Sequence, residues 1–169
     1  MKRICLTGVE STGKSTLAPV LAAHFGGVIM PEYGRSWAEM LGTDFPPAVL
    51  REIAAGHLTA RADIESVNPA LIIEDTDIVM TSAWSTMLHG QRDPILAAIT
   101  ADADLYLLFS PDTPWIDDGT RQFGGAARAR FHAIITDELA LRGIHPVTIA
   151  GSWTERKSAA VAAIIMLMP

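Results

Sequence analysis

Two glycines, a lysine and a hydroxyl residue lie close together near the start of the chain, in Gly8-Val9-Glu10-Ser11-Thr12-Gly13-Lys14-Ser15. Their spacing is G-x-x-x-x-G-K-[ST], which suits one task, holding the phosphates of a nucleoside triphosphate. Glycines let the backbone wrap closely, so successive N–H groups point at phosphate oxygens. Lys14 then reaches the β and γ oxygens, and the Ser15 hydroxyl ligates Mg²⁺. With 13 Gly and three Lys in 169 residues, the motif would arise by accident in roughly one such chain in 400. Glu10, Ser11 and Thr12 fill the loop between Gly8 and Gly13 and count with it as nucleotide-binding. The loop alone leaves kinase, ATPase and GTPase open. The GTPase option is weak: the lysines stand at 2, 14 and 157, and there is no N-K-x-D or T-K-x-D stretch to read a guanine.

Other residues could supply an acceptor side. Met30-Pro31-Glu32-Tyr33-Gly34-Arg35 places a carboxylate just after an apolar run. Glu32 there can orient an acceptor hydroxyl or take its proton; the competing reading is a solvated turn residue or a helix cap. Glu74-Asp75-Thr76-Asp77 puts three acids within four residues, which repel one another unless a cation sits there. Asp75 is the expected Mg²⁺ ligand, and Asp77 either caps the next helix or meets substrate. Ser110 to Ala126 holds two Pro, three Gly and three Asp, and a loop of this length is usually functional. We expect a lid over about 112–128, with Arg121 and Arg128 neutralising the transferring phosphoryl group. Trp115 with Asp112, Asp117 and Asp118 pairs an aromatic face with negative charge, which suits a cationic aromatic ligand; alternatively Trp115 packs inward. In the segment 150–156, Gly151 and Trp153 are placed to line an adenine and Arg156 to cover it, or the segment is a helix cap built on Ser152 or Thr154. None of the five His forms a metal-ligand pair, and all are expected at the surface or the edge of a core.

These residues are scattered along the chain, so the fold must gather them. Apolar, β-favouring runs at Arg3–Thr7, Val28–Met30, Leu71–Glu74, Leu105–Phe109 and Pro146–Ile149 alternate with helical stretches. The helices fall at Lys14–Phe25, Arg35–Leu41, Ala48–Ser66, Ile78–Leu88, Ala127–Arg142 and Thr154–Met166, with a short one at Pro94–Ala101. Continuous apolar strands between helices predict a parallel sheet covered on both faces, an α/β doubly wound domain. Right-handed crossovers then put the strand C-terminal ends, and every candidate above, on one rim.

Composition narrows the partners. The chain carries 13 basic and 19 acidic residues, a net charge of −6, and no Lys/Arg run, which argues against nucleic acid. Its 49% hydrophobic content excludes a disordered chain and fits one domain over 1–169. The single cysteine, Cys5, rules out an intrachain disulfide and suits a reducing cytoplasm. Met1–Arg3 lead straight into a strand pattern, so no targeting segment is expected. The most apolar stretch, Ser158–Met168, is too short to span a bilayer.

Several motifs occur together and in order: Gly8 through Thr16, Pro31-Glu-Tyr-Gly-Arg35, Asp75-Thr-Asp77, Asp104-Leu-Tyr-Leu-Leu108, Pro111-Asp-Thr-Pro-Trp115, Asp117-Asp-Gly-Thr-Arg121, and Ile149-Ala-Gly151 with Arg156. This pattern resembles the ribosylnicotinamide kinase domain of the NadR-type bacterial proteins, over nearly the whole chain. The resemblance implies the three-layer P-loop kinase fold, a parallel five-stranded sheet in the order 2-3-1-4-5 and an Arg-bearing lid. It implies transfer of the ATP γ-phosphate, with Mg²⁺, to the 5′-hydroxyl of nicotinamide riboside. It adds Thr16 to the nucleotide loop, and it groups Glu32, Tyr33, Arg35, Asp77, Asp112, Trp115 and Asp118 around that substrate. The H-x-G-H signature of the adenylyltransferase domain is absent, so a free-standing kinase is expected. The rival readings are a kinase for another nucleoside or small alcohol, and a nucleotide-switched ATPase module without an acceptor.

Overall fold

The computed structural model of the chain describes residues 1–116 and 122–168. Five strands in these residues form one parallel sheet: β1 (Lys2–Thr7), β2 (Val28–Met30), β3 (Leu71–Asp75), β4 (Leu105–Phe109) and β5 (Val147–Ile149). The sheet order is β2-β3-β1-β4-β5, as the resemblance implies. The described helices are α1 (Lys14–Phe25), α2 (Tyr33–Leu41), α3 (Pro47–Ser66), α4 (Ile78–His89), α5 (Pro94–Ala98), α6 (Gly125–Leu141) and α7 (Trp153–Leu167). No described helix is long and apolar enough to cross a membrane.

The central strand shows why the apolar runs are continuous. Side chains along a strand alternate between faces, and both faces of this sheet are covered. Ile4 and Leu6 of β1 join Leu17, Leu21, Ile73, Leu107 and Ile164 in the layer under α1 and α7. Cys5, between them, joins Val79, Ala83, Tyr106, Leu108 and Ile135 in the layer under α4 and α6. A third cluster, with Phe45, Leu50, Ile53, Ile78 and Leu96, fills the space beneath α3. The edge strands are short, and Val28, Ile29 and Val147 are partly exposed there.

Because all five strands run the same way, their C-terminal ends share one rim. Gly8, Pro31, Thr76, Ser110 and Ala150 each follow directly on a strand end. One rim position is strained. Thr76, between the two acids, has φ +68°, an uncommon state for a β-branched residue that costs about 1–3 kcal/mol. The Thr76 N–H donates to the Leu6 carbonyl at 3.0 Å, which fixes the bend between Asp75 and Asp77.

Candidate active site

The phosphate loop is seated by two glycines. A Cβ on Gly8, at φ +133°, would lie 2.6 Å from the Phe109 carbonyl oxygen, so only glycine lets the loop leave β1 this close to β4. Gly13, at φ +88°, opens α1 in the left-handed conformation, and α1 points its unpaired first-turn N–H groups at the loop. Lys14 Nζ donates to the Val9 carbonyl at 2.9 Å, and the Thr12 hydroxyl donates to the same carbonyl at 2.8 Å. Burial lowers the Lys14 pKa, while the nearby carboxylates of Asp75, Glu32 and Glu10 oppose that shift.

The loop forms one wall of a cleft. Glu32, Tyr33 and Arg35 line it with Lys14 and Ser15. Glu32 stands at the N-cap position of α2 but makes no side-chain capping bond; its Oε2 accepts from Arg35 Nη2 at 3.1 Å. Burial raises the Glu32 pKa and the Lys14 ammonium pulls it back down. Tyr33 depends on Gly56 of α3, where a Cβ would overlap its hydroxyl.

The bend at Thr76 separates the two acids. Asp75 Oδ1 is buried with no hydrogen-bond partner among the described residues, and Asp75 shares a second cavity with Ser15, Glu32 and Arg35. An unpaired buried carboxylate oxygen and a hydroxyl suit a hard cation, so Ser15 and Asp75 fit Mg²⁺. Asp77 is committed to the protein: Oδ1 accepts from the Val79 N–H at 2.9 Å and Oδ2 from the Tyr106 hydroxyl at 2.6 Å. Of the two readings of Asp77, the structure takes the helix cap, although the residue still borders the cleft.

The segment after β4 departs from expectation. Arg128 was expected on a mobile lid, facing the transferring phosphoryl. Instead it is 7% exposed and braces the loop. One Nη donates to the carbonyls of Pro111 and Thr113. The other donates to the Glu10 carbonyl at 3.0 Å and the Thr113 hydroxyl at 3.1 Å. Arg156, expected over an adenine, is 2% exposed and lies within the core. It donates to the carbonyls of Gly151, Thr12, Ile149 and Ser110, tying the loop to the ends of β4 and β5. Its Nη2 also pairs with Asp112, whose other oxygen accepts from the Gly151 N–H at 2.7 Å. Asp112 is therefore drawn toward β5 and away from the cleft. Trp115 follows it and packs on Gly124, taking the inward alternative, and it does not line the cleft. Asp118 and Arg121 lie outside the described residues.

The last loop takes the helix-cap reading. Ser152 and Glu155 form a reciprocal capping box at the start of α7. Trp153 meanwhile keeps 43% exposure, with its ring packed against Gly13 of the phosphate loop. That leaves an aromatic face at the loop's outer edge, beside Gly151.

The far wall of the cleft was not foreseen. Phe45, His57 and Met80 form it together with Trp84 and Phe131. The Trp84 ring lies 6.2 Å from Phe45 and 5.4 Å from Phe131. His57 is 5% exposed, with Nε2 unpartnered among the described residues, and burial lowers its pKa to about 4. Met80, Trp84 and Phe131 lie in stretches that read as ordinary helix in the sequence, Phe45 falls between two of them, and His57 was expected at the surface or the edge of a core rather than buried. The one available hint was Trp84, a large ring with a polar N–H in the middle of an apolar helix.

Comparison with known proteins agrees with this architecture. The chain is 31% identical over 157 residues to the trifunctional NAD biosynthesis/regulator protein NadR of Escherichia coli (strain K12), covering 88% of this chain and 38% of that protein. It is 31% identical over 147 residues to the NadR protein of Salmonella typhimurium, covering 82% of this chain and 36% of that one. The chain thus spans well under half the length of these relatives. Among solved structures, a NadR protein in complex with NR superimposes with a TM-score of 0.84 at 23% identity, over 98% of this chain and 51% of that chain. A thymidylate kinase from Ehrlichia chaffeensis superimposes with a TM-score of 0.67 at 15% identity, over 99% and 98% of the two chains. The sequence model of the AAA domain family matches residues 3–156, from the first strand of the sheet to the arginine beneath the phosphate loop, and the chain belongs to that family.

Proposed function

We propose that this chain is an ATP-dependent kinase that phosphorylates the 5′-hydroxyl of nicotinamide riboside, giving nicotinamide mononucleotide and ADP. One observation carries the reading: Lys14, Glu32 and an aromatic wall face one another across a single cleft. A nucleotide switch needs the loop but has no use for an acceptor pocket with a carboxylate at its mouth. The likeness to NadR proteins, one of them solved with NR, supports the choice of acceptor.

The residues divide the work. The N–H groups of Gly8 through Thr16 cradle the phosphates, and Lys14 stabilises charge on the transferring group. Bound Mg²⁺, held by Ser15 and Asp75, would neutralise phosphate oxygens. Glu32 holds the acceptor hydroxyl in line and takes its proton; the loose transition state of phosphoryl transfer makes early proton removal unnecessary. Its raised pKa places it nearer the working pH than a solvated carboxylate, as a general base requires. Tyr33 and Trp84 offer ring faces to a pyridinium, with Glu32 and Asp77 supplying negative charge nearby. Arg35, paired to Glu32, orients that carboxylate. Gly151 and Trp153 border the adenine. Arg121 would meet charge developing in the transition state, and Asp118 would serve the substrate. Residues 1–169 act as one domain, and we place it in the cytoplasm.

The test is direct. Protein, ATP and Mg²⁺ are mixed with a panel of nucleosides, and ADP and products heavier by one phosphate are followed by mass spectrometry. Nicotinamide riboside should be converted. ADP release independent of any acceptor, with no phosphorylated nucleoside, would support the switch module instead.

A further inference from the structure

Glu10 was assigned to the nucleotide by its place in the loop, but its side chain has other partners. Its two carboxylate oxygens accept from the backbone N–H groups of Gln122 and Phe123, each at 3.2 Å. Phe123 is 7% exposed, and its ring lies 4.9 Å from Trp84 and 5.0 Å from Phe131. Those two rings form the far wall of the cleft. The next loop residue makes a similar connection. The Ser11 hydroxyl exchanges hydrogen bonds with the N–H and carbonyl of Ile116, and the Ser11 carbonyl accepts from the Thr113 hydroxyl at 2.7 Å. The outer edge of the phosphate loop is thus fastened to the chain that backs the aromatic wall.

We propose that Glu10 is a positioning residue for the acceptor: it seats Phe123 behind Trp84 and Phe131 from the nucleotide side of the cleft. This deepens the kinase reading and rests on it. Two N–H groups converging on one ionised carboxylate are charge-assisted bonds, stronger than neutral ones. A glutamine at this position puts an NH₂ donor where one of these two oxygens stands, so one of the two N–H groups as now arranged faces a donor in place of its acceptor. The Phe123 ring packs edge-on and tilted against its two neighbours, geometries that stabilise aromatic pairs beyond their buried area. Loosening Phe123 therefore loosens the surface on which an acceptor ring would stack. Through this contact the loop that holds ATP and the wall that holds the acceptor share free energy, and any such coupling is reciprocal.

Glu10→Gln is the test, with two independent readouts. The first is amide hydrogen exchange of the ligand-free protein: the Gln122 and Phe123 amides should exchange about ten-fold faster or more, while β1 and β4 amides stay unchanged. The second is steady-state kinetics: KM for nicotinamide riboside should rise about ten-fold, a larger change than in KM for ATP. Phe123→Leu should raise the same KM, and the double variant should be no worse than the more impaired single one, because both act on one contact. A raised KM for ATP with an unchanged acceptor KM would return Glu10 to the nucleotide site and overturn the proposal. Unchanged exchange at Gln122 and Phe123, or full additivity of the two substitutions, would overturn it too. If the wild-type protein does not phosphorylate nicotinamide riboside, the proposed function falls. Exchange, and the KM of whichever nucleoside is phosphorylated, would still decide the role of Glu10.

Discussion

The two sides of the cleft are built by different means. The phosphate side is a backbone device of consecutive residues, shaped by Gly8 against Phe109 and by Gly13 at the head of α1. Arg156 ties it from beneath and Arg128 from above. The acceptor side is a side-chain device assembled from α2, α3, α4 and α6, which bring Tyr33, His57, Trp84 and Phe131 together from distant parts of the chain. A backbone cradle recognises phosphate whatever is attached to it, and little sequence change can alter it. A wall of side chains can be re-cut by single substitutions. Under the function proposed, catalytic power and ATP use fall to the first side and acceptor choice to the second.

The sharpest way to break this division is at Lys14. Lys14→Ala should lower kcat/KM by about 10³-fold or more, with a circular dichroism spectrum and melting temperature close to wild type. Near-normal activity would remove the phosphate side from the chemistry. Glu32→Gln comes next, since Glu32 stands where the two sides meet. It should lower kcat by about 10²-fold with ATP affinity nearly unchanged. Asp75→Asn serves as the control: raising Mg²⁺ should partly restore that variant and not Glu32→Gln, and the opposite pattern would exchange the two roles.

The acceptor side can be sharpened by comparing two tryptophans. Trp84→Leu should raise KM for the nucleoside about ten-fold, the scale of a lost cation–π contact of roughly 1–2 kcal/mol. Trp115→Leu should leave that KM within about two-fold, because Trp115 packs on Gly124 outside the cleft. Equal effects would mean that the wall has been drawn in the wrong place.

The effect with the least bearing on turnover concerns His57, and it appears as a pH dependence of stability. Burial holds the folded-state pKa at about 4, below the ordinary 6.5, with Arg61 and Arg3 adding to the shift. The folded protein therefore keeps this imidazole neutral. The stability so conferred is complete above about pH 6.5 and is lost as pH falls toward 4. A shift of this size corresponds to about 3 kcal/mol. In urea denaturation, wild type should lose about that much relative to His57→Gln between pH 7 and pH 4. Parallel curves would show that His57 is solvated. A neutral imidazole also fits the acceptor side, where a second positive charge would repel a pyridinium.

The same contrast explains what could be read from the sequence. The strands, the helices and the phosphate loop were legible because each rests on local rules: apolar runs, caps and glycine spacing; the sheet order came from the family resemblance alone. Asp77 was legible as a cap, one of its two readings, whereas the bend at Thr76 that parts it from Asp75 was not. The roles of Arg128, Arg156 and Asp112 were misjudged for one reason. Charge on a loop near a phosphate site suggests ligand contact, whereas these groups satisfy buried carbonyls and one another across long sequence separations. Trp115 stood out in the sequence because its acidic neighbours are adjacent to it there. Trp84 draws its neighbours from α3, α6 and the segment at Phe123, a set that no local pattern reveals.

The division of labour is tested most directly by acceptor choice measured at saturating ATP. We predict that kcat/KM for nicotinamide riboside exceeds that for uridine about ten-fold or more, since a cation over a ring face beside carboxylates gains roughly 1–2 kcal/mol. In Trp84→Leu that ratio should fall toward one, while KM for ATP stays where it is in the wild-type protein. Equal kcat/KM for the two nucleosides in the wild type, or a ratio unchanged by Trp84→Leu, would contradict the account.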